Sequence, residues 1–152
     1  KKNASIIDVG TGAGFPGVVL KIARPDIKLT LLDSLNKRLT FLDTVLNDIG
    51  LDSELVHSRA EEGGKNKLYR EKFDIAVSRA VARLNVLCEY CLPYVKVGGL
   101  FAAMKGPNAD EELESIADAV FNHHFKNALK FTIQTQVDKD NFDNWKSKIF
   151  CI

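Results

Sequence analysis

A strand that ends in an acid and then breaks into glycines constrains this chain more than any other feature. Ile6-Ile7-Asp8-Val9 leads into Gly10-Thr11-Gly12-Ala13-Gly14-Phe15-Pro16-Gly17, with four glycines in eight positions. A short apolar, β-branched run of this kind suits a strand buried in a parallel sheet. Glycine permits positive φ and, lacking a Cβ, lets a ligand lie against bare backbone. Pro16 suits the first turn of a following helix, and free N–H groups at a helix start favour a polar or anionic ligand. The segment predicts a strand, a ligand loop and a helix, in that order.

The same alternation continues along the chain. Strands are expected at Ser5–Val9, Lys28–Leu32 (ending at Asp33), Ser53–His57, Phe73–Val77 and Leu100–Met104. Between them, helices are expected from Pro16 to about Ala23, over Asn36–Ile49, where Leu39, Leu42, Val45, Leu46 and Ile49 recur at helical spacing, and around Leu84–Leu92. Gly50 is placed as the stop of the second helix, and Val97-Gly98-Gly99 reads as a turn into the fifth strand. Asp110–His123 has the pattern of a charged amphipathic helix, and Ala128–Gln136 and Lys148–Ile152 read as two closing strands. Parallel neighbours need crossovers, and helices supply them. The expectation is one doubly wound α/β domain over 1–152, with a mostly parallel seven-stranded sheet and an antiparallel pair at one edge.

Bulk properties narrow the function classes. The chain of 152 residues is 45% hydrophobic and 27% charged, with a net charge of +1, so composition announces neither a membrane protein nor a polyanion binder. No apolar run is long enough to span a bilayer, and nothing at the start resembles a signal peptide. A first residue other than Met, almost directly before a strand, reads as a fragment with an upstream segment missing. Three cysteines suit a reducing, cytoplasmic setting. Cys88-Glu89-Tyr90-Cys91 matches C-x-x-C but lies within the helical pattern Leu84, Leu87, Cys88, Cys91, Leu92, so buried helix cysteines are expected. No metal site is expected.

Two ligands compete for the glycine loop. Gly12, Gly14 and Gly17 satisfy G-x-G-x-x-G, and Asp33 follows at the distance a dinucleotide fingerprint requires. A nicotinamide-dependent oxidoreductase therefore stays open. Asp33 can accept hydrogen bonds from a ribose diol, or serve only as a turn acid. Asp8 argues the other way, because a carboxylate there can meet an amine or order the loop, whereas a pyrophosphate gains nothing from it. Arg59-Ala60-Glu61 offers backbone N–H and a carboxylate to an adenine edge, although Glu61 also fits a plain surface acid.

Taken together, Ile7–Gly17, Leu31-Leu32-Asp33-Ser34-Leu35-Asn36-Lys37-Arg38, Ser58-Arg59-Ala60-Glu61-Glu62, Ser78-Arg79-Ala80 and Met104-Lys105-Gly106 resemble the RsmG family in order and spacing. That family is also called GidB, or glucose-inhibited division protein B, and the likeness covers about residues 5 to 106. The resemblance implies a class I, Rossmann-like methyltransferase that moves a methyl group from S-adenosylmethionine to N7 of a guanine in 16S ribosomal RNA of the small subunit. It implies that Gly10 and Phe15 contact the cofactor in the loop, beside Asp8, Gly12 and Gly14. It makes Asp33 the ribose acid, Ala60 and Glu61 the adenine-side pair, and Arg79 a further cofactor contact. Arg79 and Lys105 are the residues expected to orient the RNA. Family members carry an N-terminal helical segment that has no counterpart here, which leaves a cofactor-binding module without catalysis as a further alternative. No membrane partner is expected; the oligomeric state stays open, with a monomer as the simplest case.

Overall fold

The computed structural model describes residues 2–105, residue 112 and the backbone of strands at 132–135 and 146–151. Along the chain run β1 (Ser5–Val9), α1 (Gly17–Ala23), β2 (Lys28–Asp33), α2 (Asn36–Asp48), β3 (Glu54–His57), α3 (Ala60–Gly63), β4 (Phe73–Arg79), α4 (Leu84–Cys91), β5 (Val95–Lys105), β6 (Thr132–Thr135) and β7 (Lys146–Cys151). They form one seven-stranded sheet in the order β3-β2-β1-β4-β5-β7-β6. The first five strands are mutually parallel, and β7 runs antiparallel to both β5 and β6. The expected doubly wound sheet is therefore present, and its last strand in sequence lies between the fifth and the sixth.

Period-two alternation divides the core between the two faces. Ile6, Leu29, Leu31 and Val77 pack with Val18, Leu39, Leu42 and Leu46 under α1 and α2. Ile7, Val9, Leu32 and Ala76 pack with Leu84, Leu87, Cys88, Cys91 and Tyr94 on the other face. Cys88 and Cys91 are thus core residues of α4, as their helical spacing predicts. Burial pushes the Cys88 thiol up to about 12 and raises that of Cys91 as well, so neither is a ready thiolate.

Local signals set most element ends. Gly50 adopts φ +67, and Leu51 N–H closes onto Leu46 O behind the last turn of α2. Lys21 is buried in the last turn of α1, where its ammonium donates to Pro25 O and Ile27 O and ties the helix end to the start of β2. Three expectations need correction. Strand β4 runs on to Arg79, two residues past Val77. Val97-Gly98-Gly99 is not a turn before the strand but an irregularity within β5, where the partner of Phe73 is Val95 and that of Ile75 is Leu100. Gly98 at φ +76 lets the strand absorb the extra residues. The stretch Arg59–Lys72, where the sequence suggests no helix, opens with the single turn α3. Gly106 and the expected helix Asp110–His123 lie outside the described residues, apart from Glu112.

Candidate functional site

Parallel pairing brings the carboxyl ends of the strands to one edge of the sheet. Val9 faces Leu32, Asp33 faces His57, and Arg79 faces Met104. The crevice beyond these ends, where the strand order turns from β1 towards β2 on one side and β4 on the other, is where an open α/β sheet binds ligands.

Asp8 is fully buried and organises the glycine loop. Its Oδ2 accepts the Thr11 hydroxyl and the Gly17 N–H, both at 2.8 Å. Oδ1 is buried with no hydrogen-bond partner among the described residues. Burial raises this carboxyl from 3.8 to about 6, against the opposing pull of Gly17 N–H, Thr11 and the charge of Arg79. A buried, unpaired acceptor of this kind has a standing demand for a donor.

The loop's own N–H groups are largely committed. Gly10 N and Thr11 N donate to Leu32 O, Gly12 N to Asp33 Oδ2, Gly14 N to Thr11 O and Gly17 N to Asp8. The expectation of free N–H groups at the start of α1 therefore fails at Gly17, the first residue of that helix. The Gly17 N–H that an anion at the helix start would use is already taken by a carboxylate, which weighs against the dinucleotide reading.

The glycines divide into two kinds. Gly12 has φ +59, and a Cβ there would meet nothing within 4 Å, so it lines open space as a ligand-facing position should. Gly10 has φ +72 and lies under Val81, whose methyl a Cβ would strike. Gly14 is packed against Val18 and Leu42; with its N–H also taken, it shapes the loop from beneath.

Asp33 at the end of β2 is 1% exposed. Its Oδ2 accepts Gly12 N–H and its Oδ1 accepts Leu35 N–H, each at 2.9 Å, while Arg38 approaches both oxygens at 3.3 and 3.5 Å. The turn-acid role considered from sequence is realised, and the same carboxylate borders the glycine loop. Arg38, half exposed over it, was missed as a site residue; its position in the Lys37-Arg38 pair was the available signal.

On the other side, Arg79 places its guanidinium 5.2 Å from the centre of the Phe15 ring, which is itself 48% exposed. Residues from the loop after β1 and from the end of β4 thus meet across the crevice. Ala80 follows at φ +55, an uncommon conformation for a residue other than glycine. Lys105, expected as a donor at the mouth, has its ammonium committed: it donates to Ala82 O and pairs with Glu112, both at 2.8 Å, with the side chain 10% exposed. Glu112 in turn accepts Leu84 N–H at 2.7 Å. Burial works against the Glu112 charge, but the Lys105 and Leu84 hydrogen bonds hold its carboxyl below the usual value. An ammonium at this depth needs acceptors, and it finds them in Ala82 O of the β4–α4 turn and in Glu112.

At the end of β3, Ala60 and Glu61 open α3 at the same edge of the sheet, with Glu61 exposed and Arg59 as the N-cap. Among the described residues no group of three or more His, Cys, Asp or Glu side chains could hold a metal ion. None of the described helices is long and apolar enough to cross a membrane.

Solved structures with this architecture include methyltransferases. A SAM-dependent O-methyltransferase of Thermotoga maritima superposes with a TM-score of 0.68 at 17% identity, over 99% of this chain and 60% of that one. An rRNA methylase of Streptococcus thermophilus superposes at 0.62 and 17% identity, over 99% and 86%. The fold is that of the class I S-adenosylmethionine-dependent methyltransferases. The sequence is more specific: residues 1–140 match the model of the GidB family, rRNA small subunit methyltransferase G. The protein of that name from Lactobacillus acidophilus is 60% identical over 115 residues, which are 75% of this chain and 48% of that protein. This chain belongs to the GidB family. It spans about half the length of the curated relatives it matches.

Proposed function

We propose that this chain binds S-adenosylmethionine in the crevice at the ends of β1, β2 and β4, and directs its methyl group to N7 of a guanine in 16S ribosomal RNA. The observation that carries the reading is the buried Asp8 at the foot of the glycine loop, whose Oδ1 has no hydrogen-bond partner among the described residues, in a loop whose Gly12 borders open space. An α-amine supplies that donor and its charge; a pyrophosphate supplies neither. Asp33 takes the ribose hydroxyls, with the long, half-exposed Arg38 contact as the one that yields. Ala60 and Glu61 meet the adenine, and Phe15 and Arg79 close the other side, joined by Gly10 and Gly14 as the glycines that shape the loop.

S-adenosylmethionine supplies an electrophilic methyl group on a sulfonium. Guanine N7 has an available lone pair, so the protein's task is alignment and exclusion of water, without a general base. In this reading Arg79 donates to the guanine O6 or to a neighbouring phosphate. Lys105 acts at one remove, by holding the β4–α4 turn that follows Arg79 and carries Val81.

An RNA partner is supported by the rim of the site. Lys37 lies in the first turn of α2, Arg59 is the N-cap of α3 and Arg83 the N-cap of α4; all three are exposed. Cations at helix starts oppose the helix dipole and lower stability, and a polyanion lying over this edge offsets that penalty. Such a role places the protein with small ribosomal subunits in the cytoplasm.

Calorimetry with S-adenosylhomocysteine and with NADH tests the ligand; heat from NADH alone sinks the proposal in favour of an oxidoreductase. Transfer of labelled methyl groups to small subunits lacking the modification tests the reaction, with the label expected as N7-methylguanine in 16S RNA. Tight S-adenosylhomocysteine binding with no transfer leaves a binding module without catalysis.

A further inference from the structure

We propose that Tyr94 is a positioning residue of the cofactor site, acting on the adenine-side turn at Ala60-Glu61. The inference rests on the reading of that turn given above.

Tyr94 is 0% exposed and packs edge-on against Phe73, with the ring centres 6.3 Å apart. Its Oη donates to Ala60 O at 2.7 Å across a separation of 34 residues. Ala60 O also accepts Gly64 N–H at 2.9 Å, so two donors converge on one carbonyl. The backbone beside the ring holds the far end of the same connection, with Glu71 N–H on Pro93 O and Lys72 N–H on Tyr94 O. Segment 60–72 is thereby pinned at both ends to one two-residue unit before β5.

The turn needs such an anchor. α3 comprises four residues and has no side-chain cap, and a single turn does not sustain itself in water. Gly63 is flush against the phenol: a Cβ there would collide with Tyr94 Oη. The glycine thus lets the turn settle onto the hydroxyl, and the hydroxyl sets where Ala60 and Glu61 stand relative to the ends of β2 and β3. A phenol chosen only to fill the core has no need of its oxygen; here the oxygen is what touches the site.

Tyr94→Phe keeps the ring and its contact with Phe73 and removes only Oη. The expected result is an S-adenosylhomocysteine Kd raised about fivefold, the equivalent of one neutral hydrogen bond, with a higher KM for S-adenosylmethionine and an unchanged kcat. S-inosylhomocysteine, which carries a carbonyl where adenine has its amine, separates positioning from general loosening. Tyr94→Phe is expected to narrow the preference for the adenosyl over the inosyl ligand; an equal loss for both, or no loss, overturns the proposal. Gly63→Ala displaces the phenol without altering it and should narrow the same preference, which keeps the test open if Tyr94→Phe folds poorly. Glu61→Gln is the reference: if it leaves the preference intact, the adenine-side reading falls and this inference with it. If Glu61→Gln abolishes the preference while Tyr94→Phe and Gly63→Ala preserve it, only the role of Tyr94 falls.

Discussion

Asp8 and Asp33 are two buried carboxylates with different tasks. Asp8 caps the start of α1 through Gly17 N–H and keeps Oδ1 in reserve; Asp33 bridges Gly12 N–H and Leu35 N–H with both of its oxygens. Because burial lifts Asp8 from 3.8 to about 6, the folded chain binds a proton in that interval that the unfolded chain does not. Stability of the ligand-free chain therefore falls as pH rises from about 4 to about 6 and levels off above. A cationic amine at Oδ1 favours the ionised form, so cofactor affinity moves the opposite way. S-adenosylhomocysteine is expected to bind about tenfold more weakly at pH 5 than at pH 7. Calorimetry across that range checks it; a flat profile removes Asp8 from the amine site. Asp33→Ala should weaken binding by on the order of 1–3 kcal/mol, since it also strands two backbone donors. Unchanged affinity would take Asp33 out of the site. The presence and spacing of both acids were visible in the sequence, because a strand and its following turn are contiguous. Which oxygen each donor reaches was not.

At the level of elements, the β4–α4 turn is held from outside itself. Lys105 at the end of β5 reaches Ala82 O, Glu112 reaches Leu84 N–H, and Val81 covers Gly10. Lys105→Met removes the ammonium that the Ala82 carbonyl and the Glu112 carboxylate share, and a loss on the order of 1–3 kcal/mol in urea unfolding is expected. The double variant with Glu112→Gln should lose less than the sum of the two single variants, because the residues act as one unit; strict additivity would argue against the clamp. Sequence reading assigned the Lys105 ammonium to the RNA, whereas the structure commits it to Ala82 O and Glu112. The miss is physical: a strand-end lysine looks alike in sequence whether it faces solvent or a carbonyl on a neighbouring turn. α3 was missed for a related reason, since a four-residue turn has too few positions to display a period, although Glu61 and Glu62 in its first turn were a usable sign.

The whole molecule carries almost no net charge, yet its fold gathers Lys37, Arg59 and Arg83 at the edge where the cofactor crevice opens. If RNA phosphates lie on that rim, Lys37→Gln, Arg59→Gln and Arg83→Gln should each reduce the slope of log affinity against log salt by about 1, without changing cofactor binding. Filter binding to small-subunit RNA over a salt series measures this; slopes equal to that of the unaltered chain would move the RNA surface elsewhere. The alternation of strands and helices, the helix spacing, the glycine loop and the family likeness were all readable along the chain, because each is a pattern among near neighbours in sequence. The seating of β7 between β5 and β6, the closure of Asp8 onto Gly17, the reach of Tyr94 to Ala60 and the turning of Lys105 towards Ala82 were decided only in three dimensions. A hydrogen bond depends on separation in space, and residues 34 apart in the chain acquire that separation only when the sheet is assembled.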